Sequence, residues 1–161
     1  MESVIIIPVV YFLENYEGIS MIELRENQLD IDTYMHLRRE VGWKMLSKRQ
    51  AQMALDNCLF NVVAYENGEA VGMGRIVGDG AVVCYVQDLV ILPGVQGRGI
   101  GSLVLGRLVE YVESITENGT EMMLCLMCAK GREGFYKKHD FMPRPTANLG
   151  PGMIQYIRKM F

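Results

Sequence analysis

The sequence predicts a single mixed α/β domain built on a central, mostly antiparallel sheet with helices on both faces. Three observations predict it. Strand-like runs flank the tight-turn pairs Asn67-Gly68 and Asp79-Gly80, two early segments carry helix-cap patterns, and between Gly99 and Ile115 the apolar period changes from two to about 3.6 residues. With 161 residues, 50% of them hydrophobic, the chain is long enough to bury a sizeable core. No internal repeat, low-complexity tract or Pro/Gly/Ser-rich linker divides it.

The first elements set the register. Val4 to Val10 and Tyr11 to Leu13 are nearly all apolar, with no leading positive charge as in a secretory signal. The stretch is also shorter than the roughly 20 apolar residues of a membrane-spanning helix. Residues 1–20 therefore read as an apolar extension or extra strand, packed on the domain or on a second subunit, which leaves a homodimer open; the domain proper is 21–161. Within it, Ile22 to Arg25 reads as a strand. A helix follows from Ile31 to about Val41, capped by Asp30 and presenting Ile31, Tyr34, Leu37 and Val41 on one side. Ser47 and Gln50 have capping-box spacing for a second helix, Lys48 to Asn57, with Ala51, Ala54, Leu55 and Cys58 inward.

Phe60 to Tyr65, Ala70 to Val77 and Ala81 to Leu92 then form a three-stranded meander. The helix from Gly99 to Ile115 carries Ile100, Leu103, Val104, Leu108, Val112 and Ile115 as its apolar stripe and stops at Asn118-Gly119. A strand from Glu121 to Ala129, a helix around Arg132 to Lys138 and a last strand from about Ile154 to Arg158 complete the order. A long helix between two strands implies a right-handed crossover joining parallel neighbours.

Composition excludes more than it assigns. With 16 basic and 19 acidic residues the net charge is -3, and there is no basic stripe for nucleic acid; the slight acidity favours a cationic substrate such as an amine. No segment calls for a membrane. Cys58, Cys84, Cys125 and Cys128 read as reduced, buried thiols of a cytoplasmic protein. Cys125 and Cys128 lack a second Cys/His pair to complete a metal site, so no metal is expected. His36 and His139 read as solvated surface residues, and the twelve scattered methionines as core filler.

The informative stretch is Gln87-Asp88-Leu89-Val90-Ile91-Leu92-Pro93-Gly94-Val95-Gln96-Gly97-Arg98-Gly99-Ile100-Gly101. A strand runs into a glycine-rich turn that opens a helix, so backbone N–H groups converge on an anion, with the helix dipole and Arg98 adding positive charge. Alternating glycines with no Gly-Lys-Ser/Thr ending match neither the dinucleotide G-x-G-x-x-G pattern nor a P-loop.

Strand, Pro93 and Gln96-x-x-Gly99-x-Gly101 resemble the acetyl-CoA signature of the GNAT N-acetyltransferase superfamily, and the element order from Ile22 to Phe161 is similar too. The resemblance implies that the backbone of Gln96, Gly97, Arg98, Gly99, Ile100 and Gly101, with Ser102, holds the pyrophosphate of acetyl-CoA. It implies that the strand at Leu89, Val90 and Ile91 pairs with the pantetheine arm, one N–H of Leu89 or Ile91 polarising the thioester carbonyl.

Phe135-Tyr136 before Lys137-Lys138-His139-Asp140-Phe141 resembles the family's F-Y-x-x-x-G-F segment, which implies that Tyr136 protonates the coenzyme A sulfur. Asp140 stands where glycine is usual, and Ala129 where a cofactor-contacting Asn is common. The family's catalytic Glu position falls on Tyr85; Gln87 shares its face, and Asp88 points the other way if the strand is regular. A water chain is then the expected proton route. Trp43 and Arg75 are the candidate substrate residues, with core packing or a surface ion pair as the alternative for each, and the loop Pro143 to Gly152 is expected to border the acceptor. The expected acceptor is a small-molecule primary amine; protein N-acetylation or a non-catalytic acyl-CoA sensor are the other readings.

Overall fold

The computed structural model describes residues 8–15 and 18–158, so the first seven residues of the expected extension lie outside the described residues. Strands β1 (Val9–Asn15) and β2 (Gly18–Glu26) pair antiparallel, with Phe12 opposite Met21. Helix α1 (Ile31–Glu40) starts at the expected cap, where Asp30 accepts from the Thr33 N–H at 2.9 Å. Helix α2 (Lys48–Asp56) has the full capping box: the Gln50 N–H donates to Ser47 Oγ at 3.1 Å and the Ser47 N–H to Gln50 Oε1 at 3.0 Å. Strands β3 (Phe60–Glu66) and β4 (Glu69–Gly78) meet at Asn67 and Gly68, whose φ values of 50° and 83° give the turn that matches strand twist.

After β5 (Val83–Ile91), a short 3-10 turn at Pro93–Val95 leads to α3 (Ile100–Ile115), then β6 (Met123–Cys125) and α4 (Glu133–Lys137). Among the described residues the strands form one sheet in the order β1-β2-β3-β4-β5-β6, antiparallel except for the parallel β5–β6 pair across α3. Helices α1 and α2 cover one face, where Tyr34, Leu37 and Ala51 pack on Val63, Met73 and Val90. Helix α3 covers the other, with Tyr111 stacked on Phe60 at 4.4 Å between ring centroids and Leu108 over Gly74.

Two strands differ from expectation. The run Glu121 to Ala129 is extended by composition, yet only Met123–Cys125 pairs as a strand, in register with Val83, Cys84 and Tyr85. Ile154 to Arg158 forms no strand. Both reflect one fact: side-chain pattern permits a strand, but a ladder of partner groups makes it.

Contacts divide the chain into two compact units, Met1–Cys125 and Leu126–Phe161. The first holds the sheet. In the second, α4 gathers Phe135, Tyr136 and Phe141, and Asp140 takes the left-handed φ of 64° that glycine would otherwise supply. No helix among the described residues is long and apolar enough to cross a membrane.

Gly78 closes the β4–β5 turn at φ 146°, where an added Cβ would meet Val83 O and lie 3.0 Å from Cys84 Cα. Gly78→Ala is expected to cost about 3 kcal/mol, combining forbidden backbone geometry with a backbone clash. Urea denaturation checks it; a loss under about 1 kcal/mol would contradict the geometry.

Candidate active site

The site is organised by an irregularity in β5. Met73 lies opposite Val90 and Arg75 opposite Gln87, so Asp88 and Leu89 together face only Gly74: a β-bulge with Asp88 at φ 55°. Gly74 makes it sterically feasible, because a Cβ there would sit 2.7 Å from Leu108 Cδ1 and 3.3 Å from Leu89 Cδ1. The extra residue reverses the alternation. Gln87 and Asp88 both lie on the α1 face, linked by Gln87 Nε2 donating to Asp88 Oδ1 at 3.0 Å. The expectation that Asp88 points away from Gln87 is thereby corrected, since it assumed an unbroken period of two.

The reversal also changes which backbone groups face outward. Met123 N–H donates to Val82 O at 3.0 Å and Asp79 N–H to Val83 O at 3.1 Å, so before the bulge even-numbered residues face the outer edge and odd-numbered ones face β4. Beyond it Leu92 N–H donates to Val71 O of β4 at 2.9 Å, while Ile91 O accepts from Gln96 Nε2 at 2.8 Å. By alternation Leu89 and Ile91 present their N–H groups outward and Val90 turns toward β4. Strand β6 ends its pairing at Tyr85, so from residue 86 to 91 that edge has no strand partner among the described residues.

Asp88 is held from three directions. Its Oδ2 accepts from Tyr34 Oη at 2.6 Å and from Arg75 Nη2 at 2.7 Å and Nε at 3.0 Å, and its Oδ1 accepts from Arg38 Nη1 at 2.7 Å. Arg75 Nη1 also donates to Ala54 O at 2.6 Å, and Arg38 Nη2 to Lys44 O at 3.2 Å. Arg75 is thus buried and fully engaged: it grips Asp88, and the ion pair is a core one rather than a surface one. Trp43 is 38% exposed and its ring lies 5.2 Å from the Arg38 guanidinium. Tyr34, Arg38 and the bulge were missed in the sequence. The available signals were an aspartate in an apolar strand, glycine on its neighbour, and Tyr34 and Arg38 one turn apart.

Burial alone would raise the pKa of Asp88, but the Tyr34 hydroxyl and the Arg75 charge outweigh it and hold the carboxyl below its ordinary range. Its contribution to stability is whole above that range and fades as pH falls through the lowered value. It is an anchored anion and a poor general base. Burial, then the bond to Asp88, pushes the Tyr34 hydroxyl up to about 12. Tyr34 therefore stays protonated in the fold where the unfolded chain releases its proton, near about 10, so its contribution is whole below about pH 10 and lost as pH rises to 12. Between about pH 8 and 11.5, urea unfolding should show the wild type losing about 2 kcal/mol more than Tyr34→Phe. Equal losses would contradict this.

Downstream of the edge comes the glycine turn. Gly97 and Gly99 adopt φ 79° and 85°, and a Cβ at either would meet nothing within 4 Å, so the turn opens onto free space. Gly99 is the N-cap of α3 and supplies no capping side chain, leaving the positive helix end to backbone N–H groups. Ile100 is buried as the first core residue of α3, and Ser102 N–H bonds to Gly99 O at 3.0 Å. Arg98 turns back to the sheet, donating to Glu66 Oε2 at 3.1 Å and Ser20 Oγ at 2.8 Å. These contacts tie the turn to β2 and β3.

Tyr136 lies on α4, with Phe135 at 5.1 Å and Phe141 at 5.8 Å between ring centroids, both edge-on. His36 is surface-exposed beside Glu40 at 3.8 Å. Among the described residues no group of three or more His, Cys, Asp or Glu is placed to hold a metal ion.

A family model described as acetyltransferase (GNAT) domain matches residues 56–143, from the end of α2 through α4. The chain belongs to the GNAT acetyltransferases. An uncharacterized ycf52-like N-acetyltransferase of Prochlorococcus marinus is 29% identical over 125 residues, covering 74% of this chain and 67% of its own length. A probable acetyltransferase of unknown function from meticillin-resistant Staphylococcus aureus superposes with a TM-score of 0.74 at 28% identity, over 86% of this chain and all of its own. A GNAT family protein from Streptococcus pneumoniae gives 0.73 at 28% identity over the same shares. Family, fold and relatives agree on an enzyme that is an N-acetyltransferase of the GNAT type. The six-stranded sheet with helices on both faces is that fold.

Proposed function

We propose that this enzyme transfers acetyl directly from acetyl-CoA to a primary amine of a small molecule. The observation that carries the reading is the continuous path from the outward N–H groups of Leu89 and Ile91 into the left-handed glycine turn. A Cβ at Gly97 or Gly99 would project into open space, so these residues fit an approaching pyrophosphate. Acetyl-CoA, when bound, supplies the activated acetyl group. Backbone N–H groups from Gln96 to Gly101 would hold its diphosphate, and the edge of β5 its arm, with Leu89 or Ile91 polarising the carbonyl.

The acceptor must lose a proton before it attacks, because an alkyl amine with a pKa of about 10.4 is about one part in a thousand neutral at pH 7 or less. Tyr85 is a phenol and Asp88 is tied to two arginines, so a water path is the route we favour. Trp43, with an exposed ring next to the Arg38–Asp88 contact, is the acceptor-side residue of this reading, and Tyr136 is the acid for the departing thiol. The reduced thiols Cys58, Cys84, Cys125 and Cys128 suit a cytoplasmic enzyme.

Incubation with acetyl-CoA and a panel of small amines, peptides with free N-termini and lysine peptides tests the reading by release of free coenzyme A. Saturable release with small amines alone supports it. Release only with peptides would replace it by protein acetylation, and binding without release on any acceptor would make the protein a sensor.

A further inference from the structure

The sheet contains a charged assembly that stability alone does not account for. Asp88, Arg38 and Arg75 bring one negative and two positive charges into a site where Arg38 is 9%, Arg75 4% and Asp88 5% exposed. Arg38 Nε is buried with no hydrogen-bond partner among the described residues. Apolar side chains of like volume commonly do as well or better than such an ion cluster, and an orphaned N–H adds a further cost. What the assembly delivers that apolar packing could not is directional. Three side chains from α1 and β4 draw one carboxylate onto their face at the residue where β5 gains its extra position.

We propose that Asp88 is a positioning residue whose clasp by Tyr34, Arg38 and Arg75 locks the β5 bulge and so decides that Leu89 and Ile91, and not Val90, present their N–H groups at the outer edge. The inference rests on the reading of that edge as the cofactor edge only for its catalytic consequence; the structural claim stands without it. Two features make the lock necessary. A bulge is an unpaired insertion, and without a restraint β5 can return to regular pairing, which turns Leu89 toward β4 and Val90 outward. Gly74, lacking a side chain, admits Leu89 on the α3 face but does not hold Asp88 on the other. The restraint comes from the carboxylate. The clasp also reaches the surface: the Arg38 guanidinium that holds Asp88 lies under the partly exposed Trp43 ring, so the acceptor side of the site and the bulge share one side chain.

Asp88→Asn tests the clasp, because asparagine tolerates the left-handed φ while removing the charge. Asp88→Asn combined with Arg38→Gln keeps the cluster's net charge at its original value and serves as the second variant should the single change not fold. The first readout is amide hydrogen exchange without ligand. Release of the bulge is expected to speed exchange at Val90 and Leu92 at least about tenfold, relative to Val83 and Tyr85 on the same strand. The second is the split of kinetic constants: kcat falling about 100-fold, the scale of one lost oxyanion donor, with affinity for coenzyme A held within about threefold by the untouched glycine turn. A folded variant with wild-type protection at Val90 and Leu92 would overturn the proposal; lost protection with an unchanged kcat would bear out the clasp and overturn its catalytic consequence. If the wild type itself fails to bind coenzyme A, the reading of the edge is what fails, and the exchange result still decides the clasp.

Discussion

Replacing Asp88 by alanine is expected to lower stability by about 3–5 kcal/mol, the scale of breaking a buried ion pair by removing one partner. The carboxylate accepts from Tyr34, Arg38, Arg75 and Gln87, and its removal strands two largely buried guanidinium groups. The Coulomb attraction lost is only part of the cost; the larger part is the desolvation of Arg38 and Arg75 that nothing then offsets. Alanine at φ 55° adds about 1 kcal/mol of backbone strain. Urea denaturation at neutral pH measures the sum, and a loss under about 1.5 kcal/mol would show that the arginines find other partners. Arg75→Met in the Asp88→Ala background is expected to restore part of the loss, since one stranded charge disappears.

Tyr136→Phe is expected to reduce kcat about 100-fold while acetyl-CoA affinity stays within about twofold. The substitution deletes one hydroxyl and keeps the ring, so the edge-on contacts to Phe135 and Phe141 persist and the α4 segment should keep its shape. A loss confined to kcat therefore reports a proton no longer delivered to the departing thiol. Steady-state turnover with the best amine of the panel, beside a binding titration with coenzyme A, separates the two quantities. Unchanged turnover would remove Tyr136 from the chemistry and leave it as packing.

Much of the fold was legible because its signals are short in sequence. Asp30 and Ser47 cap their helices through groups three positions away, and Asn67-Gly68 makes its turn by its own backbone preference. The glycine turn was legible for the same reason: Gly97 and Gly99 take positive φ because they lack a Cβ. Arg98 was harder. Its charge was visible, but its engagement with Glu66 and Ser20, 32 and 78 positions away, depends on β2 and β3 lying beside the turn.

Sequence by itself thus determined the family signature, the order of elements from β2 to α4 and the glycine turn that opens α3. Tertiary structure decided how far β6 pairs and which face Asp88 takes. It also decided which amides of β5 face outward, because that depends on vacant space at Gly74 and on donors from Tyr34, Arg38 and Arg75, at separations of 54, 50 and 13 residues. A period of two describes a strand from its own residues; a bulge is set by what the neighbouring strand and helix leave open and what charge they bring.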